Sequence, residues 1–292
     1  MTEMRSAGAL RFRLSLCNEV LRDRAFAEQC RIAATLGYDG LEIAPFTLSD
    51  DPRRISPADV DRLRTTAAEH GIAITGLHWL LVSPPGLSIT DADPNVRRET
   101  AAVIAALIGL CRDLGGTVLV HGSPQQRVLP DAGSARAAAR GFALDQLARA
   151  GDLAAGAGVT YCIEPLAEAN FVRTVDEAIE ILDEIDGTGL ATMLDTSAAG
   201  QAESEPVAEV LDRALAAGRI AHVQINAVNR KAPGQGPERL AEVFGVLDRH
   251  GYDRTVAVEP FIYEPDGLGS AAFAAGYVRG LSELVGGWTQ LK

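Results

Sequence analysis

The sequence predicts a single-domain (β/α)8, or TIM, barrel spanning residues 1–292. Three observations point there. Eight short apolar runs rich in β-branched residues recur along the chain, each followed by a longer stretch with helical spacing, at roughly 36 residues per unit. The runs show little strict alternation, as expected of parallel strands buried on both faces. After the first run stands Cys17-Asn18-Glu19-Val20 rather than the glycine-rich turn of a doubly wound dinucleotide-binding sheet.

Taken in order, strands are predicted at 12–16, 40–44, 73–77, 117–121, 159–163, 191–195, 221–225 and 255–259. The first helix runs from Arg24 to Leu36 and stops at Gly37. The second opens with Ser56-Pro57, an N-cap followed by proline at the first helical position, and stops at His70-Gly71. The third covers about Asn95 to Leu114 and ends at Gly115-Gly116; later helices fit 136–156, 174–185, 205–216, 237–249 and 268–284. Thr174 with Glu177 is a capping-box signature, and His70 and His250 read as C-terminal helix caps. No linker or charge run divides the chain.

Charge excludes some partners. With 27 Lys+Arg against 39 Asp+Glu the net charge is −12, which argues against nucleic acid and anionic membrane surfaces. No stretch approaches the ~20 apolar residues of a membrane span, and the N-terminus lacks a signal-peptide core. Cys17, Cys30, Cys111 and Cys162 are scattered, so they read as reduced, buried thiols of a cytoplasmic protein.

In such a barrel the C-terminal ends of the strands converge on one mouth. The last four strands end in or contain Glu164, Asp195, Gln224 and Glu259, separated by 31, 29 and 35 residues, close to one βα unit each. Carboxylates brought together raise one another's pKa, so the cluster must take up protons or bind a cation. An all-oxygen donor set suits Mn²⁺ or Mg²⁺ better than a thiolate-seeking ion.

The segments LGYDGLEIAPF (36–46), IEPLAEANFVRT (163–174), MLDTSAAG (193–200), HVQINAVNRKAPGQG (222–236) and GYDRTVAVEPF (251–261) carry a further signal. Through them the chain resembles the sugar-phosphate isomerase/epimerase superfamily, the xylose-isomerase-like barrels that include ketose 3-epimerases, hydroxypyruvate isomerase and inosose-processing enzymes. The resemblance implies that Glu164, Asp195 and Glu259 are metal ligands. It also implies that Glu164 and Glu259 are the catalytic pair, one removing a carbon-bound proton and the other returning it. The ion, Mn²⁺ first and Mg²⁺, Co²⁺ or Zn²⁺ otherwise, would polarise a carbonyl and its neighbouring hydroxyl. Two positions depart from the common pattern. Gln224 stands where many members have a metal-binding His, as in the hydroxypyruvate-isomerase branch, and Ala198 stands where ketose 3-epimerases have a substrate-contacting His. Glu168 matches the family's second Glu, and Arg230 a substrate-contacting arginine. Such barrels are commonly homo-oligomers.

Other polar residues are candidates for substrate binding. His78 and His121 end strands three and four. Glu42 closes strand two, where it would touch substrate or orient His78. His222 shares its strand face with Gln224 and is either a rim residue or a satisfied inner histidine. Trp79, with Phe46 and Phe261, would form a sugar-stacking wall or ordinary packing. Lys231 beside Arg230 is a second loop cation. The expected function is a metal-dependent isomerase or epimerase of a small sugar or polyol-type substrate. The alternatives are a lyase using the same site for β-elimination and a catalytically silent binding subunit. An endonuclease IV-like reading is opposed by five histidines and the acidic charge.

Overall fold

The computed structural model describes residues 11–289 other than 186 and 188. Eight parallel strands close a barrel in sequence order. They are β1 (Arg13–Cys17), β2 (Gly40–Ile43), β3 (Ala73–Leu77), β4 (Val118–His121), β5 (Thr160–Ile163), β6 (Leu190–Asp195), β7 (Ile220–Ile225) and β8 (Thr255–Val258). β8 returns onto β1 in a register running from Arg13↔Thr255 to Leu16↔Val258. Every predicted strand is present to within about two residues, the usual uncertainty of element ends.

The helices form where capping and apolar spacing place them. α1 (Phe26–Leu36) closes on Gly37 in the left-handed region at φ 80°. α2 (Pro57–Glu69) starts in a full capping box between Ser56 and Asp59 and ends on His70. α3 (Pro94–Leu114) is capped by the Asp93 side chain. α4 (Gly133–Ala157) and α5 (Val175–Ile185) follow. At the start of α5 the Thr174 hydroxyl accepts from the Glu177 N–H at 3.2 Å, but Glu177 reaches back to the Arg173 N–H, not to that of Thr174. α7 (Val207–Ala216), α8 (Leu240–Arg249) and α9 (Gly267–Thr289) complete the ring, and His250 caps α8 with Nε2 2.7 Å from Asp212. One helix, α6 (Thr196–Ala202), is not predicted: it leaves β6 directly, its seven residues TSAAGQA too short and small to show an apolar period.

Strand parity decides which side chains reach the mouth. Val118, Val120, Cys162 and Met193 pack together inside the barrel, apart from the main core, which holds Leu119, Tyr161, Ile163, Leu194, Val223 and Val258 against the helices. Residues two apart share a face, so Glu164 follows Cys162 inward and Asp195 follows Met193. All four cysteines are buried and free. Among the described residues no helix is long and apolar enough to cross a membrane.

Candidate metal centre and active-site cavity

A cavity of about 610 Å³ opens at the C-terminal ends of the strands, within the range of small-molecule sites. Its acidic residues are Glu164, Asp195, Glu259 and Glu168. Trp79 and Phe261 supply apolar wall, Arg230 a cation, and Gln125, Gln126 and Gln201 amides suited to hydroxyl groups. The wall is built edge to face: the Trp79 ring lies 5.4 Å from Phe46 and 5.6 Å from Phe261. Trp79 and Arg230 both adopt left-handed backbone, at φ 52° and 67°. For Arg230 the cause is visible. Its N–H donates to the Ala227 carbonyl and its own carbonyl accepts from Phe261 and Ile262, which pins the β7 loop to the β8 loop. The guanidinium then lies 4.9 Å from the Phe261 ring centre.

Ligand oxygens of Glu164, Asp195 and Glu259 all lie within 4.8 Å of one another, and the three residues are 5%, 3% and 4% exposed. Each pair of full charges at such separation costs about 4 kcal/mol at an effective dielectric near 20. Burial first, and neighbouring carboxylates next, push the Glu164 and Glu259 carboxyls well above the ordinary range, Asp195 being the leading neighbour for Glu164 and Glu164 for Glu259. Burial lifts Asp195 to about 7 against the hydrogen bonds it receives from Ala198, Ser197 and Asn226. A divalent cation is the alternative to these protons, and the residues fit one. Asp195 Oδ2 and Glu259 Oε2 are buried and take no hydrogen bond. Gln224 sits opposite Asp195 in register, donates Nε2 to Glu42 Oε1 at 2.8 Å, and leaves its own Oε1 buried without a partner. The carboxylate of Glu42 can only accept, so it dictates which end of the amide is free.

Glu164 depends on a glycine. A Cβ at Gly122 would fall 1.8 Å from Glu164 Oε2, while the backbone there needs no positive φ. Gly122→Ala should therefore change the melting temperature little yet displace the carboxylate, lowering kcat about 10²-fold, as angstrom-scale misplacement does. Parallel thermal melts and turnover assays check this, and unchanged turnover would refute the placement.

Several candidate substrate contacts lie elsewhere. His121 points outward: parity puts it on the Leu119 face of β4, its Nδ1 3.1 Å from the Tyr161 hydroxyl, and burial depresses its pKa to about 3. His222 is an inner histidine 2.8 Å from Glu42 Oε2, and both are below the cavity with 1% and 0% exposure. Glu42 is thus a partner of His222 and Gln224, lies outside the cavity lining, and stands 3.8 Å from His78 Nδ1. His78 is fully buried, 2.9 Å from Glu19 and 3.6 Å from Glu259. Glu168, Arg230 and Trp79 do line the cavity, whereas Lys231 pairs with Glu264 at 2.7 Å.

Three important residues are missing from the sequence reading. Glu19 enters from the turn after β1, held by Asn18, which bridges Gln29, Thr47 and the Ala44 N–H. Arg127, wholly buried, donates Nη2 to the Glu164 carbonyl at 2.6 Å. Asn226 donates to the Glu259 carbonyl at 2.7 Å and accepts from Ser197 N–H. Strand parity alone would have found Asn226, two residues beyond Gln224.

Fold and site together define a class: single (β/α)8 barrels with a buried carboxylate cluster at the C-terminal mouth. The family described as xylose isomerase-like TIM barrel matches residues 30–279, and the chain belongs to that family. Among curated relatives, a ketose 3-epimerase of Arthrobacter globiformis is 26% identical over 262 residues, 86% of this chain and 80% of its own. A D-psicose 3-epimerase of Ruminiclostridium cellulolyticum is 24% identical, covering 81% and 78%. Among solved structures, an L-ribulose 3-epimerase superposes with a TM-score of 0.79 at 20% identity over 96% of this chain and 97% of its own. Both of these curated relatives are named as sugar epimerases.

Proposed function

We propose that the protein is a divalent-metal-dependent epimerase or isomerase of a small ketose or related hydroxy-carbonyl sugar. The observation that carries this reading is the trio of buried carboxylates, with unpartnered oxygens on Asp195 and Glu259, in an aromatic-walled, amide-lined cavity. The names of the curated relatives support a ketose as substrate and proton return over elimination. Glu164, Asp195, Glu259 and the Gln224 amide oxygen would hold the ion, and Mn²⁺ suits this oxygen set. When bound it supplies Lewis acidity to a carbonyl and the adjacent hydroxyl.

The remaining work belongs to side chains. Glu164 and Glu259 directly follow β5 and β8, and both line the cavity, where a positioned carboxylate can serve as general acid or base to a bound sugar. One takes the proton from carbon and the other delivers one, so the carbon inverts or the carbonyl moves. Arg127 and Asn226 grip the backbone carbonyls of the two glutamates and so fix where each carboxyl stands. Glu168 and the three glutamines offer partners to sugar hydroxyls, while Trp79 covers an apolar face of the ring.

Incubation of the Mn²⁺-loaded protein with D-psicose in D₂O, followed by NMR, tests the reading. An isomerised or epimerised ketose with deuterium at one carbon is expected. An unsaturated or fragmented product would indicate elimination instead, and no exchange across a panel of ketoses would refute the proposal. Trp79→Ala should raise KM about tenfold or more while changing kcat less, since it removes wall and not acid or base. Steady-state kinetics distinguishes the two, and an unaltered KM would assign Trp79 to packing.

A further inference from the structure

Beside the acidic trio lies a second cluster, of which the proposed reaction uses Glu259 alone. Cys17, Glu19, His78 and Glu259 offer ligand atoms that all lie within 4.8 Å of one another. They come from the end of β1 and the turn after it, the end of β3 and the end of β8, and are 0%, 1%, 0% and 4% exposed.

An ion pair alone explains this cluster poorly. His78 Nε2 is 2.9 Å from Glu19 Oε2, a pairing that accounts for that one oxygen and leaves the rest of the cluster unexplained. Glu19 Oε1 is buried and takes no hydrogen bond. A buried carboxylate oxygen without a donor is costly, and native structures rarely leave one. Ligands of a common ion behave differently. They approach closely without pointing at each other, because each points at the metal. Tetrahedral bonds of roughly 2.0–2.3 Å place neighbouring ligand atoms about 3.3–3.8 Å apart. The 3.6 Å from His78 to Glu259 Oε1 falls on that edge, and the 2.9 Å from His78 to Glu19 is a few tenths of an ångström shorter.

We propose that Cys17, Glu19, His78 and Glu259 form a second divalent-metal site, of thiolate, imidazole and carboxylate donors, that shares Glu259 with the first. The donor set selects Zn²⁺ or Co²⁺, in contrast to the all-oxygen site beside it. Glu259 has an oxygen for each ion: Oε1 lies toward His78, and Oε2, which takes no hydrogen bond, is left for the trio. Carboxylate-bridged pairs of this kind stand about 3.5–4 Å apart. Binding would release the Cys17 thiol proton to solvent, since the thiolate is the ligand.

Cobalt titration of the chelator-stripped, full-length protein tests the second site separately from the first, with bound metal measured after gel filtration and near-ultraviolet absorption recorded. Two ions per chain and a thiolate-to-cobalt band are expected. Cys17→Ser should bind one ion and lose the band. Asp195→Asn should bind one ion and keep it. Glu19→Gln, which retains the thiol and the side-chain shape, should also lose one ion, and serves if Cys17→Ser does not fold by circular dichroism. One ion without a band overturns the second site alone and leaves the first intact. A band that persists in Cys17→Ser, or two ions in Glu19→Gln, likewise overturns it. No bound ion in the wild-type chain removes both sites.

Discussion

Glu164→Gln and Glu259→Gln should each lower kcat about 10³-fold or more while making the metal-free protein melt at a higher temperature. The activity loss follows from the role of each side chain. A positioned acid or base contributes about 10²–10⁴-fold, and each variant also weakens a ligand to the ion. The stability gain follows from burial. Both carboxyls are held well above their ordinary pKa, first by desolvation and then by each other and Asp195, so their charged forms destabilise the metal-free fold. An amide of the same shape carries no such charge. Opposite signs for activity and stability are unusual for core substitutions, most of which simply destabilise. Thermal melts in EDTA and single-turnover assays provide the two readouts. Normal turnover in either variant would remove the acid–base assignment, and a lower melting temperature in both would refute the electrostatic account.

The second large effect is that of metal removal, and it should depend on pH. Asp195 has a folded pKa of about 7 against an ordinary 3.8, and Glu164 and Glu259 are raised as well. The folded metal-free protein therefore binds more protons than the unfolded chain between these limits. Such groups contribute stability that is fully present below the ordinary carboxyl pKa and is lost as pH rises through the raised values. His78, raised by Glu19 and Glu42 against the opposing effect of burial, acts in the same direction above its ordinary value of 6.5. The melting temperature in EDTA should accordingly fall between pH 5 and 8. A divalent ion reverses the trend, because it binds the ionised carboxylates and competes with their protons. At pH 8 with Mn²⁺ at about 100 times its dissociation constant, the gain is about 2.7 kcal/mol, or roughly 5–10 °C. At pH 5 it should nearly vanish. Differential scanning calorimetry with and without EDTA measures both curves. A flat EDTA curve, or an equal gain at both pH values, would contradict the carboxylate cluster as the ion's site.

Part of the site was readable from spacing. Glu164, Asp195, Gln224 and Glu259 lie about one βα unit apart on consecutive strands, and in a closed barrel that periodicity brings them to one mouth. Parity gives a finer reading. It correctly placed His222 with Gln224, and applied to β4 it would have turned His121 outward, because Val118 and Val120 take the inner face. Glu19 and Arg127 were harder to find. Each lies in a short turn after a strand, where no period operates, and only the folded loop brings it to the cluster.

What the amino-acid sequence determined by itself was the count and order of the staves, the carboxylates that end them and the acidic character of the mouth. These follow from period-two and period-3.6 patterns that local backbone geometry enforces. Tertiary structure alone decided which buried groups pair below the cavity, which oxygens are left free, and that Glu259 belongs to two clusters at once. Such facts depend on distances between residues up to 242 positions apart, from Cys17 to Glu259, and no local pattern encodes them.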